Sequence, residues 1–106
     1  MMIKLHPVDK DRNMITVNEY FEGNVKSLGY QSSEGKSTVG VIDQGEYKFG
    51  TSTDETMIII EGSMDVLLPG ADEWISVKSR DEFKVPAGTS FKVKTEGQTS
   101  YLCKYQ

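Results

Sequence analysis

Among the side chains able to do chemistry, Glu55 is the best placed. It opens the run Glu55-Thr-Met-Ile-Ile-Ile-Glu-Gly62, and on strand alternation it shares a face with Met57 and Ile59. With those two filling a core, its carboxylate points inward, where it could accept hydrogen bonds from a ligand and stabilise positive charge developing on it. The competing reading is a carboxylate that hydrogen-bonds Thr51 or Thr53 near the mouth of the core, or is solvated there. Against that reading, a buried carboxylate without a task is costly. The more reactive residue types are scarce. His6, the one histidine, stands beside Pro7 in a polar stretch, where a surface position is expected. Cys103, the one cysteine, lies between Leu102 and Lys104 with no histidine near it, and reads as a small buried hydrophobe rather than a nucleophile.

A second stretch, Pro86-Ala-Gly88, follows 24 residues after Gly62. The two together are similar to the paired motifs of cupins, with the histidines missing. In the first cupin motif a His-x-His pair precedes the glutamate, and counting back from Glu55 puts Phe49 and Thr51 in those places. In the second, a histidine follows Pro-x-Gly, and here Phe91 occupies it. An apolar ring has no lone pair to give Zn, Fe or Mn, so a metal-dependent dioxygenase is excluded and no metal or other cofactor is expected.

The elements that must hold these residues are strands. Short β-branched and aromatic runs at Val25–Tyr30, Ser37–Ile42, Glu46–Phe49, Met57–Ile60, Met64–Leu68, Trp74–Val77, Glu82–Val85, Ser90–Lys94 and Thr99–Tyr105 are separated by Gly, Asp, Ser and Pro. No segment keeps a 3.6-residue apolar period over three turns. Turn chemistry falls between the runs, as in Asp43-Gln44-Gly45, Glu61-Gly62-Ser63 and Pro69-Gly-Ala-Asp72. Many short strands at near-even spacing imply an all-β fold, a small cupin-type β-barrel with the double-stranded β-helix or jelly-roll arrangement. Residues 1–17 read as an N-terminal extension, an arm or an added edge strand, and residues 18–106 as the cupin domain.

Composition narrows the class. At 106 residues the chain can bury one core, and its small size favours association, here as a homodimer. Twelve Lys and Arg against sixteen Asp and Glu give a formal charge of -4, which argues against nucleic acid as a partner. No apolar run is long enough to span a membrane, no basic start with an apolar stretch opens the chain, and one cysteine cannot form an internal disulfide. A cytoplasmic location is expected.

Several ordered blocks then point to a narrower group. Asn18-Glu-Tyr-Phe-Glu-Gly-Asn-Val-Lys-Ser-Leu-Gly29, Val39-Gly-Val41, Gly45-Glu-Tyr-Lys-Phe49, Val66-Leu-Leu-Pro69, Trp74, Phe83-Lys-Val-Pro86 and Thr99-Ser-Tyr-Leu-Cys103 closely resemble the pyrimidine/purine nucleoside phosphorylase family of small bacterial cupins. The resemblance runs from about Met14 to Tyr105; residues 1–13 have no counterpart in it, and Arg80 stands where a glycine is common. It implies cleavage of purine and pyrimidine nucleosides by phosphate to free base and ribose 1-phosphate, without a metal.

That reaction passes through an oxocarbenium-like ribosyl centre with phosphate attacking. It requires an anion near the ribose, an aromatic wall for the base and a cationic or N–H-rich cradle for phosphate. Glu55 suits the first. Phe49, Phe91 and Tyr101, with Thr51 beside them, are candidates for base and ribose contacts, since a ring stacks on either class of base; core packing is the alternative for both phenylalanines. Among Lys26, Arg80, Lys84, Lys92, Lys94 and Lys104, those inside the resembling blocks, Lys26 and Lys104, are the phosphate candidates, against the plainer reading of exposed strand charges. The rival functions are a non-catalytic cupin that binds a small metabolite, and a sugar isomerase or epimerase, for which only Glu55 or Tyr101 could serve as base.

Overall fold

The computed structural model describes residues 14–105. Ten strands, all paired antiparallel, form two facing sheets in the jelly-roll manner. The larger sheet orders β1 (Thr16–Tyr20), β2 (Val25–Ser32), β3 (Gly35–Ile42), β10 (Thr99–Tyr105), β5 (Glu55–Glu61) and β8 (Glu82–Val85). The smaller orders β4 (Gly45–Gly50), β9 (Ser90–Thr95), β6 (Ser63–Leu67) and β7 (Ile75–Lys78). The nine runs expected from the sequence correspond to β2–β10. The two sheets are not hydrogen-bonded into one closed barrel. The chain instead crosses between them at turns, the first at Asp43–Gln44, where the Asp43 carboxylate accepts the Gln44 N–H (2.8 Å) and Gly45 follows at φ 145.

β1 straddles the boundary expected at residue 17. Residues 1–13 of the expected extension, with His6, lie outside the described residues.

Alternation decides which side chains meet between the sheets. Val25, Ile42, Ile59, Val85 and Cys103 of the larger sheet face Tyr47, Val66, Phe91 and Val93 of the smaller one in a single buried core. In β10 the odd positions Thr99, Tyr101 and Cys103 are buried, while Ser100, Leu102 and Lys104 look outward. Burying such a face is the main stabilising contribution, at about 25 cal/mol per Å² of apolar surface.

Two backbone positions explain residues singled out by the cupin resemblance. Arg80, where a glycine is common, is left-handed at φ 77 in the β7–β8 turn, which the Asp81 N–H closes on the Lys78 carbonyl (2.9 Å) and the Arg80 N–H ties to the Ile59 carbonyl of β5 (2.8 Å). Gly88, at φ 72, ends the Pro86-Ala-Gly88 loop, whose N–H groups are taken up by Thr51 and Asp54.

Candidate active site

A cavity of about 410 Å³ opens between the sheets, within the size range of small-molecule sites. β5 brings Glu55 and Met57 to it, and β10 brings Tyr101, Cys103 and Tyr105 at alternate positions. Phe49 of β4 and Phe91 of β9 are cross-strand partners, their centroids 5.7 Å apart, and form the opposite wall. Tyr20, Phe21 and Ser27 lie at the mouth. The structure thus brings together Glu55, Phe49, Phe91 and Tyr101 from the residues expected for the site.

Glu55 is half-buried. Its Oε1 accepts a weak hydrogen bond from the Cys103 thiol (3.4 Å). Burial raises its pKa above the ordinary carboxylate value, and the Cys103 contact opposes that rise. Among the described residues the ion pairs are Lys26–Glu19 and Lys104–Glu34, so no described cation neutralises Glu55. Cys103 in turn is pushed up to about 12, by burial first and then by the Glu55 charge, and so stays a thiol. Neither Thr51 nor Thr53 is a partner of Glu55.

Tyr101 also stays protonated, its pKa raised to about 12 by burial, while its hydroxyl engages Ser27. Ser27 accepts a hydrogen bond from Asn18 (3.3 Å), which joins β1 to β2 beside the cavity. The ring passes tightly over Gly40. A methyl group there would meet the Tyr101 hydroxyl at 2.7 Å and the Lys26 carbonyl at 2.6 Å, so β3 can present only glycine at this point.

The mouth is shaped by a short left-handed turn. Phe21, Glu22 and Gly23 have φ of 54, 59 and 89, a conformation that ordinary residues adopt at a cost. The turn is held by the Phe21 ring, which packs at 5.0 Å on Tyr47 and edge-on at 5.5 Å on Phe49. Phe21 remains 43% exposed and presents part of its surface to whatever enters.

Three expected site residues are not at the cavity. Thr51 is committed to the Pro86–Thr89 loop, donating to the Pro86 carbonyl (2.7 Å) and accepting the Thr89 N–H (3.1 Å). Lys26, one position from the inward Val25 and Ser27, leaves from the outer face, with Nζ 4.0 Å from Glu19. Lys104, one position from Cys103, bonds Glu34 at 3.0 Å. Alternation is the reason in both cases: a lysine next to an inward residue points out. Lys48 is the lysine that borders the cavity among the described residues, although it too stands between inward side chains, Tyr47 and Phe49, and is exposed.

Sequence reasoning missed Tyr20, Phe21, Ser27, Tyr105 and Lys48. Tyr105 was within reach, since 101, 103 and 105 share a strand face. Tyr20-Phe21 carried a weaker signal, adjacent aromatics just before a glycine in a polar stretch.

Fold and cavity define a cupin-type jelly roll in which two phenyl rings, and a threonine engaged elsewhere, occupy the three places where the motifs put imidazoles. Cupins share this fold at low identity: an RmlC-like cupin from Shewanella frigidimarina superposes with TM-score 0.65 at 15% identity, covering 96% of this chain and 90% of that one. Closer relatives exist. A Marinobacter nauticus protein named pyrimidine/purine nucleoside phosphorylase is 51% identical over 92 residues, 87% of this chain and 99% of the relative. A Tolumonas auensis protein of the same name is 47% identical, covering 88% of this chain and all of the relative. A crystal structure from Vibrio parahaemolyticus, described as of unknown function, superposes with TM-score 0.85 at 37% identity, covering 89% of this chain and 100% of that one. The family model for pyrimidine/purine nucleoside phosphorylase matches residues 15–105, and the chain belongs to that family.

Proposed function

We propose that this protein is a nucleoside phosphorylase, a pentosyltransferase that cleaves purine and pyrimidine nucleosides with phosphate to free base and ribose 1-phosphate. The observation that carries the reading, beyond family membership, is an unneutralised carboxylate facing an aromatic wall across a cavity of about 410 Å³. The base stacks among Phe49, Phe91 and Phe21, a surface that does not discriminate between one ring and two. Glu55 accepts hydrogen bonds from the ribose hydroxyls. As the glycosidic bond lengthens and the anomeric carbon becomes cationic, its negative charge, strengthened by the low-dielectric site, stabilises that centre. Tyr101, held as a phenol, is a donor for the ribose or the departing base. Phosphate attacks the anomeric carbon; Lys48, the one lysine among the described residues that lines the cavity, is assigned to phosphate in place of Lys26 and Lys104, a role that requires its long side chain to reach back over the rim. The chain's own side chains account for each step.

The outer face of the larger sheet supports a homodimer. Cross-strand register aligns Val17, Leu28, Val39, Leu102 and Ile58 in one row across five strands, with Val41 and Ile60 beside it. Such a row on a solvent face is the surface a second copy would cover. Exposed Met14 and Ile15 continue it toward the N-terminal extension, which supports an arm that joins the contact. Size-exclusion chromatography with light scattering tests this: a monomer for the wild type overturns it, and Leu28→Glu is expected to dissociate the dimer. The free, buried thiol of Cys103 accords with the reducing cytoplasm, the compartment we assign.

The activity is tested by following base release from uridine, inosine and guanosine with and without phosphate. Phosphate-dependent release with ribose 1-phosphate formed is expected. Absence of release from folded protein would favour the metabolite-binding reading instead.

A further inference from the structure

Cys103 is not consumed by the chemistry above, yet its thiol touches the one carboxylate that is. The contact belongs to a line of side chains. Thr38 and Tyr105 hydroxyls lie 3.1 Å apart, Tyr105 stands two residues from Cys103 on the same strand and lines the same cavity, and Cys103 reaches Glu55 Oε1 at 3.4 Å. Three strands contribute to it, β3 through Thr38, β10 through Tyr105 and Cys103, and β5 through Glu55. Cys103 is 1% exposed, and its register partner on β5 is Met57, two residues from Glu55. We infer that Cys103 is a positioning residue, which aims the Glu55 carboxylate into the cavity by donating the thiol proton to it as a hydrogen bond. The inference rests on the proposed role of Glu55.

The surroundings of Glu55 leave this task to Cys103. From β10 it is faced by Tyr101 and Tyr105, both protonated, and from β1 by Tyr20. Lys84 of β8 and Asp54 share a shallow groove with it, and Lys48 sits at the cavity rim. None of these lysines pairs with it, and the Asp54 carboxylate is engaged with the Ala87 N–H (2.8 Å). An S–H donor is weak, but in a cavity with few alternatives removing it leaves the carboxylate both freer to rotate and easier to protonate.

The test compares Cys103→Ala and Cys103→Ser with wild type by pH–rate profiles, using inosine and phosphate, with Glu55→Gln run in parallel. Cys103→Ala is expected to lower kcat by about 5–20-fold with little change in nucleoside KM, and to move the acid limb of kcat/KM to higher pH. Cys103→Ser, which retains a donor, should restore both. A Cys103→Ala profile that overlays wild type, or Ser and Ala variants that behave alike, overturns the inference. Should the Ala variant not fold, ¹³C NMR titration of the Glu55 carboxyl in wild type and Cys103→Ser decides it. The stronger hydroxyl donor is expected to lower the titration midpoint, and an unmoved midpoint overturns the inference. Wild-type turnover in Glu55→Gln would instead bring down the role of Glu55 and this inference with it, whereas an inactive Glu55→Gln beside an unaffected Cys103→Ala removes the inference alone.

Discussion

Two clefts of this sandwich treat their polar groups in opposite ways. One holds Glu55, Cys103 and Tyr105 at the end of β10 and the start of β5. The other, of about 570 Å³, is built at the start of β4, β6 and β10 and the end of β9, and includes Thr95 and Thr99. In the second, the buried hydroxyls have backbone anchors: Thr95 donates to the Gly97 carbonyl (2.6 Å), and Thr99, 2.9 Å from Thr95, donates to the Ser63 carbonyl (2.9 Å). Gly62 leaves room for this, since a methyl group there would sit 2.9 Å from the Thr99 hydroxyl. The carboxylates of Glu46 and Glu96 at this cleft are exposed to water, and the third, Asp65, is partly so, with no aromatic ring among the residues that line the cleft. In the first cleft a carboxylate is half-buried against aromatic rings with only a thiol for a partner. Hydrogen-bond satisfaction marks the second as structure, while the incompletely satisfied, desolvated carboxylate of the first marks it as a site.

The sharpest way to break this comparison is to neutralise the carboxylate. Glu55→Gln is expected to lower kcat by about 10²–10³, the scale of one electrostatic contact to a developing charge, while the fold survives. Phosphorolysis assays beside circular dichroism would show it, and near wild-type turnover would make the two clefts equivalent. The converse change is Thr99→Val in the structural cleft. It is expected to cost about 1–3 kcal/mol of stability by leaving neighbouring polar groups short of a partner, measurable by denaturant unfolding, with kcat of the folded protein unchanged. At the mouth, Phe21→Ala is expected to raise nucleoside KM about tenfold by removing one stacking surface, with kcat within about threefold of wild type.

The smallest effect concerns pH. Because burial raises the folded-state pKa of Glu55 above its unfolded value, the folded protein holds this proton more tightly. Its contribution to stability is fully present below the unfolded pKa and is lost as pH rises through the folded one. Thermal unfolding of wild type and Glu55→Gln should therefore coincide in acid, with the variant melting roughly 2–5 °C higher near neutrality. Curves that stay parallel throughout would mean that Glu55 is solvated.

The strand framework is legible in the sequence because it depends on local signals. Runs of β-branched residues, bounded by Gly62, Pro69-Gly70 and Pro86, mark out β2–β10, and motif spacing alone singles out Phe49, Phe91 and Glu55. The inward parity of Tyr101 and Cys103 needs the register of β10 on β3 and β5. What is not legible follows from the same physics. Lys26 and Lys104 belong to blocks typical of the family, but a lysine one residue from an inward side chain faces outward, and family resemblance carries no parity. Thr51 fills an imidazole position and so reads as a ligand contact, yet a hydroxyl beside the backbone of Pro86 and Thr89 is drawn into pinning that loop. Phe21 escapes sequence reasoning because its place depends on a left-handed turn, which two non-glycine residues adopt only when distant rings, here Tyr47 and Phe49, hold them.

That turn has a further consequence. Since the backbone at Phe21 and Glu22 is uphill on its own, its shape is secured by the aromatic contacts at its tip together with the hydrogen bond from the Asn24 N–H to the Phe21 carbonyl (3.1 Å). A ligand that stacks on Phe21 adds to that hold, and a ligand that pries the ring away releases it. The ring that frames the entrance rests on Phe49, itself a wall residue, so entrance and wall are one packed unit.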